Sequence, residues 1–105
     1  RSEVKIPKQV VVGKSKIKVR KFYAVKVGKD ACRGCYNWDT QEIHIASNTP
    51  SGTHKYSASD KANTFWHELT HAILHDMGEN KLNHNEKFVT EFSNRLDQAI
   101  KTARF

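Results

Sequence analysis

Phe65-Trp66-His67-Glu68-Leu69-Thr70-His71-Ala72-Ile73-Leu74-His75 is the stretch on which the reading of this chain turns. Its centre is His67-Glu68-x-x-His71. On a helix advancing about 100° and 1.5 Å per residue, two histidines four apart lie roughly 40° apart in azimuth and about 6 Å apart along the axis. Both imidazoles can therefore reach one metal ion. Glu68, one residue after the first histidine, points about 100° away from that line and can lean over the open side of the ion. A catalytic zinc takes three protein ligands and keeps a water whose pKa falls to about 7, so the pattern predicts Zn²⁺ held by His67 and His71, with Glu68 as the base for that water.

Chance is the competing explanation. With six His and six Glu in 105 residues, an H-E-x-x-H arises by accident with a probability of roughly 2 in 100. The flanking Phe65, Trp66, Leu69, Ala72, Ile73 and Leu74 weigh against accident, because they describe a buried helix, and histidines on a buried helix need partners.

Composition bounds the rest. A chain of 105 residues is expected to form one domain with a single core, spanning 1–105. Its 37% hydrophobic and 28% charged content is that of a globular chain. No apolar run is long enough for a membrane span, and the chain opens on Arg1 without a signal-peptide pattern, so a cytoplasmic setting and no membrane partner are expected. The formal charge of +7 is unevenly spread: residues 1–29 hold ten Lys/Arg and one acid, residues 30–105 eight and ten. A basic face that meets nucleic acid is one reading. Lysines that keep edge strands from pairing is the other. Cys32-Arg33-Gly34-Cys35 is a lone C-x-x-C, too little for a structural zinc site, and reads as two reduced, incidental thiols.

Working outward from the motif, residues 1–47 are β-rich. A strand is expected within 3–12, with Pro7 confining its first part to an edge or bend. Gly13-Lys14-Ser15 is a turn. From Lys16, Ile17, Val19, Val25 and Val27 alternate with Lys16, Lys18, Arg20 and Lys26, which predicts one buried and one basic face, with a bulge or turn at Arg20-Lys21-Phe22. Gly28 to Asp39 reads as irregular. Thr40–Ala46 is a short strand with Ile43 and Ile45 on one face and Glu42, His44 and Ala46 on the other; His44 is expected to be exposed. The motif helix spans 57–77, with caps within Ser57–Asp60 and Gly78 as terminator. A linker at Asn80–Asn85 leads to a second helix over 84–103, whose Phe88, Val89, Phe92, Leu96, Ala99 and Ile100 predict a core stripe. The fold class is α+β: a small antiparallel or mixed sheet packed on the motif helix and a C-terminal helix.

A third ligand must come from beyond the motif. Candidates are His75, Asp76, Glu79, His84, Glu86 and Glu91. His75 binds only if the helix distorts, and a metzincin would need Gly at 74 and His at 77, where Leu74 and Met77 stand. Position favours the start of the second helix, where His84 and Glu86 lie, and the helix dipole favours a carboxylate there. At this point the chain resembles known families. Glu86-Lys87-Phe88-Val89-Thr90-Glu91-Phe92-Ser93-Asn94-Arg95-Leu96 is similar to the E-x-x-A-x-x-F-A-x-x-L helix of ImmA/IrrE-type peptidases, with Val89 and Ser93 in place of Ala. His84-Asn85-Glu86-Lys87-Phe88 is similar to the third-ligand segment of SprT-like (Spartan-type) proteases, with Asn85 in place of the usual Gly. The layout also resembles small phage-encoded zincin-type peptidases.

The resemblance spans about residues 35–100. It implies a minimal zincin-like metallopeptidase acting on protein or peptide substrates in a host cytoplasm, with Glu86 as third ligand ahead of His84. An extended substrate is expected along an edge strand at Ile43-His44-Ile45; no oxyanion helper is identifiable, since His44, His54 and Tyr56, the candidates, read as ordinary surface residues. The expectation from another class is a non-catalytic zinc module that binds nucleic acid or protein through its basic strands, with His84 and Glu86 both on the metal.

Overall fold

In the computed structural model the described residues are 6–27 and 29–105. The fold is α+β: the described residues form a mixed four-stranded sheet and a small antiparallel pair with three helices. Strands β1 (Gln9–Val12) and β2 (Ser15–Phe22) form a hairpin. Its turn holds Gly13 at φ +59, against the carboxylate of Asp76. β3 (Val25–Val27) and β4 (Asp30–Cys32) pair apart from the main sheet. β5 (Gly34–Asn37) and β6 (Glu42–Ala46) complete it in the order β1-β2-β6-β5, with β6 parallel to β2 and antiparallel to β5.

Helix α1 (Ala58–Met77) lies on one face of the sheet. Ser57 and Asp60 form a reciprocal capping box at its start, and Gly78 at φ 76 ends it in the left-handed conformation that a side chain would resist. The core beneath it is Ile17, Ile43, Ile45, Phe65 and Ala72, buttressed by Val10, Val19, Tyr36, Trp66 and Leu69. After a short helix α2 (Asn80–Asn83), α3 (Glu86–Thr102) runs back antiparallel along α1. Contacts at both ends fix that direction: Lys101 Nζ meets Ser59 Oγ at 2.6 Å, Asn63 Nδ2 donates to Asn94 and to Asp97, and Ser93 sits beside His67.

Several sequence expectations change. The part of the first strand expected before residue 6 lies outside the described residues; the described strand is Gln9–Val12. β2 runs unbroken through Arg20-Lys21-Phe22, and the break comes at Tyr23-Ala24, because Phe22 keeps its place on the outer face, edge-on to His44 at 4.9 Å between ring centres. The stretch read as irregular contains β4 and β5, three and four residues long and built on Ala, Gly and Cys, too short and too poor in β-branched residues to show periodicity; Gly28 lies outside the described residues. His44 is half-buried rather than exposed, and Ala46 is buried, since the β3–β4 hairpin packs over that end of β6. β6 is an interior strand, not an edge, so Ile43-His44-Ile45 cannot receive an extended peptide; the terminal strand on that side is β5.

The linker contains α2, and the core stripe of α3 is rotated. Val89, Ser93 and Asp97 are its buried residues, whereas Phe92 and Ile100 are 47% and 41% exposed. The cause lies on α1, which meets α3 with polar side chains: Asn63 and His67 take Asp97 and Ser93 as partners. Phe88 and Phe92 instead stack on each other at 5.9 Å on the outer flank.

β5 approaches α1 closely at Gly34. A Cβ there would lie 2.6 Å from Thr64 Cγ2 and 2.7 Å from the His44 carbonyl oxygen. Gly→Ala at an unstrained site stabilises by about 0.4–1 kcal/mol through the unfolded chain, but overpacking against a fixed carbonyl costs about 1–3 kcal/mol. Gly34→Ala should therefore lower the urea unfolding midpoint, and Thr64→Ser should restore only part of the loss; an unchanged or raised midpoint would contradict this packing.

Candidate metal centre

α1 brings His67 and His71 to one side with their rings 5.1 Å apart, and the first turn of α3 brings Glu86 to them. Glu86 Oε1 is 3.2 Å from His67 Nε2, and Oε2 is 3.1 Å from His71 Nε2. The three ligand-type atoms all lie within 4.8 Å of one another, and His67, His71 and Glu86 form the one such group among the described residues. The imidazoles are largely buried, 24% and 18% exposed, whereas the Glu86 side chain is 67% exposed, so the group opens to solvent on the carboxylate's side.

Each imidazole is oriented from behind. His71 Nδ1 meets Asn83 Oδ1 at 2.6 Å. An amide oxygen only accepts, so Nδ1 carries a hydrogen, and Nε2 is the nitrogen turned toward Glu86. His67 Nδ1 faces Ser93 Oγ at 3.5 Å, and that hydroxyl donates to Thr90 O, which leaves it free to accept from the ring. Burial, and then the neighbouring His71, hold the His67 pKa below the usual imidazole value, while the Glu86 carboxylate works in the opposite direction.

Glu68 is buried where α1 meets β5, with its Cγ beside Gly34. Burial pushes its pKa up to about 7; His71 opposes that shift and the negative charge of Glu86 adds to it. A carboxyl group held near neutrality can both take and give a proton. It faces a cleft of about 540 Å³ whose walls include His67, His71, Glu86, Tyr36 and Trp38.

The other candidates lie apart from the group. His84 caps the end of α2, exposed, and lines the cleft without joining the convergent three. His75 stacks flat on Trp38 at 5.4 Å, Asp76 lies against the β1–β2 turn, Glu79 precedes α2, and Glu91 pairs loosely with Arg95 on the outer side of α3. His44 bonds to Glu42, and His54 stacks edge-on with Tyr56, whose ring carries Arg33 at 5.3 Å; none of His44, His54 and Tyr56 lines the cleft. Tyr36 does line it, with its phenol pKa raised by burial and by Asp76. Cys32 and Cys35, read from the sequence as incidental, also line the cleft as free thiols, and burial, then Glu68, raise the Cys35 pKa. Asn83 and Ser93, which orient the imidazoles, carry no sequence signal: both are common polar residues, placed by the path of α2 and the rotation of α3.

Comparison with family models, with curated proteins and with solved structures finds no match to this chain.

Asn83 is the test of this arrangement that needs no metal. In the metal-free chain at alkaline pH, ¹⁵N spectra should show His71 as the Nδ1–H tautomer, and Asn83→Ala should shift it toward the Nε2–H form. A wild-type spectrum already dominated by Nε2–H would contradict the Asn83 contact.

Proposed function

We propose that the chain is a zinc-dependent peptidase whose ion is held by His67, His71 and Glu86 and whose general base is Glu68. The observation that carries this reading is the convergence of two imidazole nitrogens on one carboxylate while the far side of each ring is occupied by Asn83 or Ser93. At 3.1 and 3.2 Å, each imidazole nitrogen and its carboxylate oxygen share either a proton or a metal cation, and the site offers the same three groups to both. One ligand atom from each of His67, His71 and Glu86 lies within 4.8 Å of the other two, close enough for a single ion to take all three. Two imidazoles and one carboxylate are also one of the donor sets found in catalytic zinc sites.

Zinc held there supplies Lewis acidity toward a carbonyl oxygen and lowers the pKa of a water. Glu68 takes a proton from the attacking water onto its carboxylate and delivers it to the leaving nitrogen. Asn83 and Ser93 hold the imidazoles in one tautomer and one orientation. Tyr36 and Trp38 wall the cleft, and an extended protein or peptide substrate adds beside β5, the terminal strand, whose Gly34, Cys35 and Tyr36 face that cleft. The sequence resemblance to ImmA/IrrE-type and SprT-like peptidases supports the same assignment. We place the protein in the cytoplasm, where free thiols such as Cys32 and Cys35 stay reduced.

Glu68→Gln should keep one equivalent of zinc and lose hydrolysis of an unfolded protein such as casein by about 10²–10⁴-fold. Full activity in that variant, or no cleavage by the zinc-loaded wild type, would sink the assignment. Glu86→Ala should empty the site while His84→Ala leaves it filled, and Asn83→Ala should weaken zinc binding by about 10–100-fold, all read by metal analysis after dialysis. Zinc lost only with His84→Ala would name His84 as the ligand in place of Glu86.

A further inference from the structure

We propose that the face of the sheet turned away from the helices binds single-stranded nucleic acid through Lys16, Lys18 and Arg20. The charge of the chain divides by layer: residues 6–46, which form the strands, hold nine Lys/Arg and three Asp/Glu, whereas residues 58–102, which form the helices, hold five and seven. Within the strands, β2 concentrates that charge. Ile17 and Val19 turn toward the helices, so Lys16, Lys18, Arg20 and Phe22 share the opposite, exposed face, about 6.7 Å apart.

Protection of a sheet edge does not account for Lys18. β2 lies between β1 and β6, and Lys18 is paired on both sides, with Gln9 and with Glu42, so it guards no exposed backbone. Internal pairing accounts for Arg20 alone. The carboxylate across from Lys18 in the register is Glu42, and it is already bonded to Arg20 Nε at 3.0 Å and His44 Nε2 at 2.8 Å. Among the described residues, no ion pair engages Lys16 or Lys18. Two uncompensated ammonium groups on an open sheet face are placed for a polyanion.

The rings beside them choose the kind of polyanion. Phe22 is 43% exposed at the end of the row with the His44 ring edge-on to it, and Tyr23, the next residue, is 59% exposed. A duplex hides its bases from such rings, whereas a single strand offers phosphates to the lysines and unstacked bases to the aromatics. This surface is separate from the cleft, and its binding requires neither zinc nor hydrolysis.

The test is fluorescence anisotropy of a short labelled single-stranded oligonucleotide titrated with the full chain. Three phosphate contacts predict a log–log salt slope near −2, which weakens binding about 20-fold between about 50 and 200 mM salt. Lys16→Ala with Lys18→Ala should reduce affinity at least tenfold and bring the slope to about −0.7, with the thermal melt unchanged. Phe22→Ala should cost about tenfold. Lys87→Ala on α3 and Glu68→Gln in the cleft should change neither affinity nor slope. No binding at about 50 mM salt, binding indifferent to the double lysine variant, or tighter binding to duplex or to anionic lipid vesicles would overturn the proposal.

Discussion

One carboxylate joins the parts of the candidate centre: Glu86, in the first turn of α3, reaches Nε2 of both His67 and His71 across the gap between two helices. Bringing it there takes most of the local structure. Gly78 turns the chain out of α1 in a conformation costly to other residues, α2 spans the gap, and Asn85 caps α3 by accepting from the Phe88 N–H. The far end of α3 is tied by Asn63, Asp97, Lys101 and Ser59. These contacts fix how α3 is rotated, and that rotation puts Ser93 behind His67 while α2 puts Asn83 behind His71. Anchoring by polar contacts explains why an apolar flank of α3 remains outside.

The α1 helix was the most legible part of the chain. Its capping serine, its glycine terminator and its period of apolar residues are local signals, and they give the helix and the spacing of His67 and His71 directly. The α+β class followed from β-branched alternation before residue 47. What failed was non-local. Sequence periodicity placed Phe92 in the core because it is apolar, but the side of α3 that is buried was chosen by polar partners on α1. Likewise nothing local in Ile43-His44-Ile45 says whether neighbours flank it on both sides; only the pairing of β6 with both β2 and β5 settles that. β5 itself was invisible, being four residues without a β-branched side chain, yet it walls the cleft, and Gly34 is there because a side chain would strike Thr64 and the His44 carbonyl.

Sheet and helices divide the chemistry between them. The helices carry the motif histidines and the carboxylates of the cleft, with the Glu68 carboxyl raised by burial beside histidines whose outer nitrogens face hydrogen-bond partners. The sheet supplies the wall against which Glu68 is buried and, on its other face, the lysines of β2. The basic row is thereby kept off the cleft, which leaves the local field there to Glu68 and Glu86.

X-ray absorption at the zinc edge of the zinc-loaded chain tests the central claim most directly. The account predicts nitrogen and oxygen ligands only, with scattering from two imidazoles, each of which should disappear with His67→Ala or His71→Ala, and an oxygen ligand lost with Glu86→Ala. A sulfur ligand from Cys32 or Cys35, a third imidazole from His84, or failure of the chain to retain zinc would contradict it.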